Sequence, residues 1–248
     1  MNNAIMRGRF ITFEGIDGTG KSTQIELMAA ALAERGIDTL LTREPGGTVL
    51  GEEVRRILLD PRRKKVSPRA ELALMFACRA QLLDEVILPA LENGRWVLCD
   101  RFTDSSEAYQ GGGRMLGSTP VRTLHRVLAK NQSPWMTVLL DADLEACLSR
   151  ARVRDRIVKA ENQGRFEAES LLFFQRVQKR YREIADRDSH RVVKVDASQS
   201  IASVHQQIID HLDSRLREEE EQALDPDLMA RASNVTLRGK SLPGRVNA

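Results

Sequence analysis

Residues 15–22 read Gly-Ile-Asp-Gly-Thr-Gly-Lys-Ser, a complete G-x-x-x-x-G-K-[ST] loop. No other stretch constrains the fold as strongly. The apolar run Phe10-Ile11-Thr12-Phe13 leads in as a strand, and a helical pattern opening at Lys21 leads out. That strand–loop–helix setting is what a phosphate-binding loop requires. Glycines let backbone N–H groups turn onto phosphate oxygens, and the helix N-terminus adds partial positive charge. Lys21 is placed to reach terminal phosphates, and Ser22 to offer a hydroxyl to magnesium. The segment Gly15, Ile16, Asp17, Gly18, Thr19, Gly20, Lys21, Ser22, Thr23 is therefore expected to bind a nucleoside triphosphate.

Apolar runs and helical patterns alternate beyond the loop. Strands are expected at Arg9–Glu14, Thr39–Arg43, Trp96–Asp100, Met136–Asp141 and Val192–Asp196. Helices are expected near Lys21–Arg35, Gly51–Leu59, Pro68–Glu92, Pro120–Ala129, Leu144–Ala151, Ala168–Asp186 and Ile201–Arg215. Strands alternating with helices imply a parallel sheet covered on both faces, and short apolar strands such as Val97-Leu98-Cys99 fit that burial. Ligands in such sheets sit at the carboxyl ends of the strands. Glu14, Arg43, Asp100, Arg101 and Asp141 all fall there.

At 248 residues the chain can bury one sizeable core. A net charge of +3 is near neutral, so nucleic-acid binding is not implied. Cys78, Cys99 and Cys147 are scattered, as are His125, His190, His205 and His211, which argues against a zinc site built from protein ligands. No apolar run approaches the roughly 20 residues needed to span a bilayer, and residues 1–7 lack the apolar core of a signal peptide. The expected setting is the cytoplasm, with no membrane partner. Met6 is an alternative start. After Arg215 the pattern breaks into the acidic run Glu218–Glu221 and a polar remainder. Residues 217–248 are expected to be a disordered extension, with a partner-binding tail as the alternative.

Three segments carry further chemistry. Trp96-Val97-Leu98-Cys99-Asp100 is an apolar strand ending in a carboxylate that suits magnesium opposite the loop hydroxyl, although many strands end in Asp. Arg101 follows it, suited to bidentate capture of a second phosphate or, blandly, to a surface ion pair. Thr42-Arg43-Glu44-Pro45-Gly46-Gly47-Thr48 gathers Arg and Glu at a strand end with turn-forming glycines. Asp100-Arg101-Phe102-Thr103-Asp104-Ser105-Ser106-Glu107-Ala108-Tyr109-Gln110-Gly111-Gly112-Gly113-Arg114 reads as a pocket wall facing a polar ligand.

Together EGIDGTGKST, TREPGGT, DRF-x-x-SS-x-AYQGGGR and the Arg-rich segment after Leu148 resemble the bacterial thymidylate kinases over about residues 7–215. The resemblance implies an α/β, P-loop NTPase-type three-layer fold, a five-stranded parallel sheet flanked by helices. It makes residues 1–216 a nucleoside monophosphate kinase domain, with a lid at about 150–166. The implied reaction moves the γ-phosphate of ATP to dTMP, with Mg2+ held by Ser22 and Asp100. It also implies a homodimer.

Position by position, the resemblance places Asp17 near the acceptor sugar and the metal. Arg43 and Arg101 match the arginines on the dTMP phosphate, with Glu44 and Pro45 beside them and Arg55 as another acceptor-side arginine. Arg79 matches the arginine on the thymine carbonyl. Ser105, Ser106 and Gln110 fall along the base wall, and Tyr109 matches the tyrosine that crowds the 2′ position. Where the family carries a stacking Phe this chain has Met75, with Phe76 as its neighbour. Either one stacks on the base, or both are core.

The run Arg150-Ala151-Arg152-Val153-Arg154-Asp155-Arg156, continuing to Arg165, resembles the lid or is a solvated helix face. In one subclass of the family the phosphate loop itself carries the catalytic arginine. Gly18 holds that position here, so the resemblance moves the role to a lid arginine, Arg154 and Arg156 among the candidates. Two other readings remain: a kinase for another nucleoside monophosphate such as dUMP or UMP, and a GTP-dependent switch. The switch would need an N-K-x-D motif, and Lys130-Asn131-Gln132-Ser133 is not one.

Overall fold

The structure, a computed structural model, describes residues 8–62, 66–157, 166 and 169–224, the side chains of 154–157 and 222–224 excepted. The chain divides into two compact units, residues 1–205 and 206–248. In the first, β1 (Phe10–Glu14) leads through the phosphate loop into α1 (Lys21–Glu34), β2 (Thr39–Arg43), α2 (Val49–Leu59) and α3 (Pro68–Leu82). A π-turn at Leu83–Ile87 joins α3 to α4 (Leu88–Glu92), followed by β3 (Trp96–Asp100) and α5 (Thr103–Ser106). A second π-turn at Glu107–Gly113 precedes α6 (Ser118–Leu128), β4 (Met136–Asp141), α7 (Leu144–Ile157), α8 (Leu171–Arg187), β5 (Val192–Asp196) and α9 (Ile201–Leu224).

All pairings are parallel, in the order β2-β3-β1-β4-β5. Every residue of the central β1 is buried, whereas the edge strands β2 and β5 alternate between covered and exposed positions. That contrast explains why β1 and β3 read as unbroken apolar runs. Thr12 and Thr137, opposite each other in register and buried inside the sheet, share a 2.8 Å hydrogen bond. Register also aligns the carboxyl ends, setting Arg43 opposite Asp100 and Phe13 opposite Asp100, so that the loops after β1, β2 and β3 open onto one crevice.

The five strands and most helices match the pattern in the sequence. Three helical segments differ. The helix expected over Pro68–Glu92 widens at Leu83–Ile87, two residues before Pro89. Proline lacks an N–H and its ring crowds the carbonyl four residues back, which a π-turn accommodates. Residues 103–113, expected only as a pocket wall, follow a helical path. The triple glycine that reads as a turn instead lets α8 approach: a Cβ at Gly113 would stand 2.5 Å from the Phe173 ring. Third, α9 continues to Leu224, into the stretch expected to be disordered, because Arg217, Glu218–Glu221, Ala223 and Leu224 are strong helix formers. Residues 225–248 lie outside the described ones.

Gly113→Ala is expected to destabilise the fold by about 1–3 kcal/mol, read as a lowered denaturant midpoint with an unchanged slope. An unchanged midpoint would mean that α8 is not seated against this turn.

Candidate active site

The phosphate loop begins where β1 ends. Gly15, Gly18 and Gly20 all have positive φ, at 133°, 85° and 94°, and Gly20 serves as the N-cap of α1. The loop braces itself, with the Thr19 hydroxyl donating to the Ile16 carbonyl at 2.9 Å. Lys21 is buried and folds back over the loop, donating to the Gly15 and Ile16 carbonyls at 3.2 and 3.1 Å. Burial and then the nearby Arg101 charge lower its pKa, so an incoming anion would relieve a strained cation. Ser22 and Thr23 are exposed at the start of α1.

Arg101 is the hub of the crevice. It leaves β3 with φ 74°, a left-handed backbone that costs a non-glycine residue roughly 1–2 kcal/mol. Its N–H donates to the Phe13 carbonyl at 3.0 Å, extending the β1–β3 ladder past Asp100. The guanidinium then spans the crevice. It donates to Asp17 of the phosphate loop at 2.8 Å, to Ser105 and Tyr181 at 3.1 Å each, and to the Tyr109 hydroxyl at 3.4 Å. Tyr109 is buried, edge-on to Phe166, Phe173 and Tyr181.

A second wall is built from two helical stripes. Glu71, Met75 and Arg79 recur every fourth residue and so share one face of α3. Opposite them run Ser106 and Gln110. The stripes are joined at one end by Gln110 donating to Glu71 at 2.9 Å, and at the other by Arg79 donating to Ser106 at 3.0 Å. Arg79 is almost fully buried and is gripped by Glu44 through Nε and Nη2, at 2.5 Å at the closest. Burial raises the Glu44 carboxyl, and the Arg79 charge opposes that shift. Glu44 thus pairs with Arg79 rather than with Arg43. Two polar atoms in this wall are buried without a partner, the donor Nη1 of Arg79 and the acceptor Oε1 of Gln110. Phe76 is fully buried in a core cluster with the Arg79 guanidinium 4.4 Å over its ring, so both its faces are already covered. Met75 is only partly buried, beside Val54, Leu58 and Cys78.

Arg43 lies half-exposed at the end of β2, paired with Glu52 of α2 at 3.1 Å. Arg55 donates to the Pro45 carbonyl at 2.8 Å. Burial lowers the Arg55 pKa, and repulsion from Arg43 and Arg101 adds to it. Three guanidinium groups that repel one another mark a place for an anion. Asp100 lies within this field, its Oδ1 buried and without a hydrogen-bond partner. A buried carboxylate oxygen without a hydrogen-bond partner fits a magnesium ion or its bound water. Among the described residues no three His, Cys, Asp or Glu side chains could hold a metal by themselves, so a magnesium ion here would need oxygen ligands from a nucleotide's phosphates.

The lid region enters through α7. A Cβ at Gly18 would stand 2.0 Å from the Cys147 carbonyl, so α7 crosses the phosphate loop against bare backbone. No side chain fits there. The side chains of Arg154 and Arg156 and all of 158–165 lie outside the described residues; Arg150 turns back on Cys147.

Glu14, which the sequence placed at a strand end where ligands sit, is wholly buried, and Tyr181 on α8, which sequence reasoning missed, touches Arg101. Arg114 links Glu71 to Glu169. Glu14 was legible as the lone charge in an otherwise apolar strand. Tyr181, remote in sequence, carried no signal.

A family model described as thymidylate kinase matches residues 13–208. The thymidylate kinase of Nitrosomonas eutropha is 46% identical over 206 residues, covering 83% of this chain and 93% of that protein. That of Trichlorobacter lovleyi is 47% identical over 207 residues, covering 84% and 98%. The crystal structure of thymidylate kinase from Ehrlichia chaffeensis superposes with a TM-score of 0.67 at 32% identity, covering 84% of this chain and 99% of that one.

Gly18→Ala is expected to push α7 off the loop and lower kcat/KM by about 10²-fold, the typical cost of an ångström-scale misplacement, with helical content retained by circular dichroism. Unchanged kcat/KM would show that α7 does not close on Gly18.

Proposed function

This chain belongs to the thymidylate kinase family, and from that premise we propose that it transfers the γ-phosphate of ATP to dTMP, giving dTDP, in the crevice around Arg101. Family membership carries the dTMP assignment, and a pair of buried, unpartnered atoms on the second wall supports a thymine- or uracil-type base over cytosine. A donor at Arg79 Nη1 and an acceptor at Gln110 Oε1 answer the O4 acceptor and N3–H donor of thymine. Cytosine would present the reverse pattern. Met75, lying between Glu71 and Arg79 on α3, is the side chain that covers the base, and Tyr109 closes the sugar side against a 2′-hydroxyl.

The acceptor phosphate lies among Arg43, Arg55 and Arg101. With its second pKa near 6 it is largely dianionic at neutral pH, so it attacks the γ-phosphorus without a general base. The new P–O bond forms as the β–γ bridging bond breaks, and the departing charge stays on ADP. The chain's task is to bring two anions into line and offset their repulsion. Lys21 leaves the loop carbonyls for the ATP phosphates. Arg101 ties the acceptor to the loop through Asp17. A cation from α7 and the segment after it, Arg154 or Arg156, supplies the charge that Gly18 cannot carry, a role worth roughly 10³–10⁵ in rate. Ser22 and Asp100 would hold a magnesium ion, which would neutralise phosphate charge when bound. Lid closure over the site keeps water from ATP.

The reading includes a homodimer and a cytoplasmic setting. The dimer is supported by family resemblance alone. Among the described residues no helix is long and apolar enough to cross a membrane.

Arg101→Ala is expected to raise KM for dTMP by about 10- to 100-fold, the cost of a charge-assisted contact, with KM for ATP changed far less. Lys21→Ala should lose turnover by about 10³-fold or more while the fold survives. Equal effects of Arg101→Ala on both substrates would remove it from the acceptor site, and turnover retained by Lys21→Ala would sink the loop assignment.

A further inference from the structure

Glu14 is the last residue of β1 and has no accessible surface. Its two carboxylate oxygens are used differently. Oε1 accepts from backbone, the Phe102 N–H at 2.7 Å and the Ser105 N–H at 3.3 Å. Oε2 accepts from hydroxyls, Ser105 Oγ at 2.6 Å and Tyr181 OH at 2.9 Å. Those same two hydroxyls receive Nη1 of Arg101, at 3.1 Å each. A hydroxyl has one proton and two lone pairs. With both protons committed to Oε2, the lone pairs of Ser105 and Tyr181 point at Arg101 and fix its guanidinium plane. The two hydroxyls also lie 2.8 Å apart. Without an acceptor at Oε2 they would pair with each other and turn a proton toward the guanidinium.

We infer that Glu14 is a positioning residue for the acceptor nucleotide, orienting Arg101 through a two-hydroxyl relay made by Ser105 and Tyr181. The inference rests on the assignment of Arg101 to the acceptor phosphate. Keeping a carboxylate in an apolar strand needs such a reason, because burial pushes its pKa up to about 7, with Asp104 adding to the shift and Arg101 opposing it. Other charged or titratable groups that feel it are Lys21, Tyr109 and Tyr181. At Oε2 the carboxylate satisfies two buried hydroxyls and, by taking their protons, leaves their lone pairs for Arg101.

Glu14→Gln separates the two duties. The N–H donors of Phe102 and Ser105 require the amide oxygen on their side, which puts the NH2 where Oε2 stood. The anchor survives and the relay reverses, since the NH2 now consumes the hydroxyl lone pairs. Removing a buried charge also spares the fold, so the melting temperature should stay close to wild type. Initial rates of Glu14→Gln, Tyr181→Phe and the double variant should be measured against both substrates. Glu14→Gln is expected to raise KM for dTMP by about 10- to 100-fold, with KM for ATP within about twofold. Tyr181→Phe keeps its ring packing on Tyr109 and should shift KM for dTMP in the same direction by less. The double variant should be no worse than Glu14→Gln, because one relay is lost only once. An unchanged KM for dTMP in Glu14→Gln, an equal rise for ATP, or full additivity in the double variant would overturn the inference. Should Glu14→Gln not fold, an unchanged KM for dTMP in Tyr181→Phe would do so. Arg101→Ala in the same series separates the two failures. If it leaves KM for dTMP unchanged, the acceptor-site assignment falls; if it alone raises KM, only the relay falls.

Discussion

The crevice depends on one residue being held in an unfavourable backbone conformation. Arg101 leaves β3 with φ 74°, and the parallel ladder pays it back through the Phe13 carbonyl. Turning there aims the guanidinium across the sheet instead of along it, so that it meets Asp17 at 2.8 Å. Had β3 run straight on, that side chain would face one of the covering helices. The phosphate loop and the helical turn after β3 are therefore joined by a single planar cation, which Lys could not replace because it lacks the fork of donors. Around it Ser105, Tyr109 and Tyr181 set the plane in which that fork lies.

The second constraint is the buried pair of Arg79 and Glu44. Removing two charges from water is costly, and such a pair is weak evidence for stability in itself. Its consequence is geometric. Glu44 takes Nε and Nη2, while Phe102 and Ser106 take Nη2 as well, leaving Nη1 the one nitrogen without a partner. A fully satisfied arginine would read nothing. A donor kept dry and unpaired is worth more to a ligand than to the fold, because it has no solvent partner to surrender on binding.

Much of this was legible in the sequence, and the gaps have physical causes. The strand bounds at Trp96–Asp100 and Met136–Asp141 follow from apolar runs stopped by a carboxylate, and those of the edge strands Thr39–Arg43 and Val192–Asp196 from shorter apolar stretches with polar residues on their exposed positions. The phosphate loop announced itself because its chemistry is local. Residues 103–113 did not read as helical because their three glycines are weak helix formers, and the approach of α8 explains Gly112 and Gly113. The partner of Glu44 was also hidden: Arg79 is one turn from Met75 on a helix whose register against Glu44 is a tertiary fact. Phe76 is the plainest case. As a residue type it suits a stacking role, yet α3 rotates it under Arg79 and leaves Met75 nearer the gap.

Initial rates of ADP release across dTMP, dUMP, UMP, CMP and AMP test the central claim most directly. A site with an unpaired donor at Arg79 and an unpaired acceptor at Gln110 predicts that dTMP and dUMP, which share O4 and N3–H, are turned over well. CMP and AMP, whose hydrogen-bonding edges leave those groups unmatched, should fall at least about 10²-fold below dTMP. CMP or AMP turning over as well as dTMP would contradict the assignment of the second wall, and with it the account of what this crevice reads.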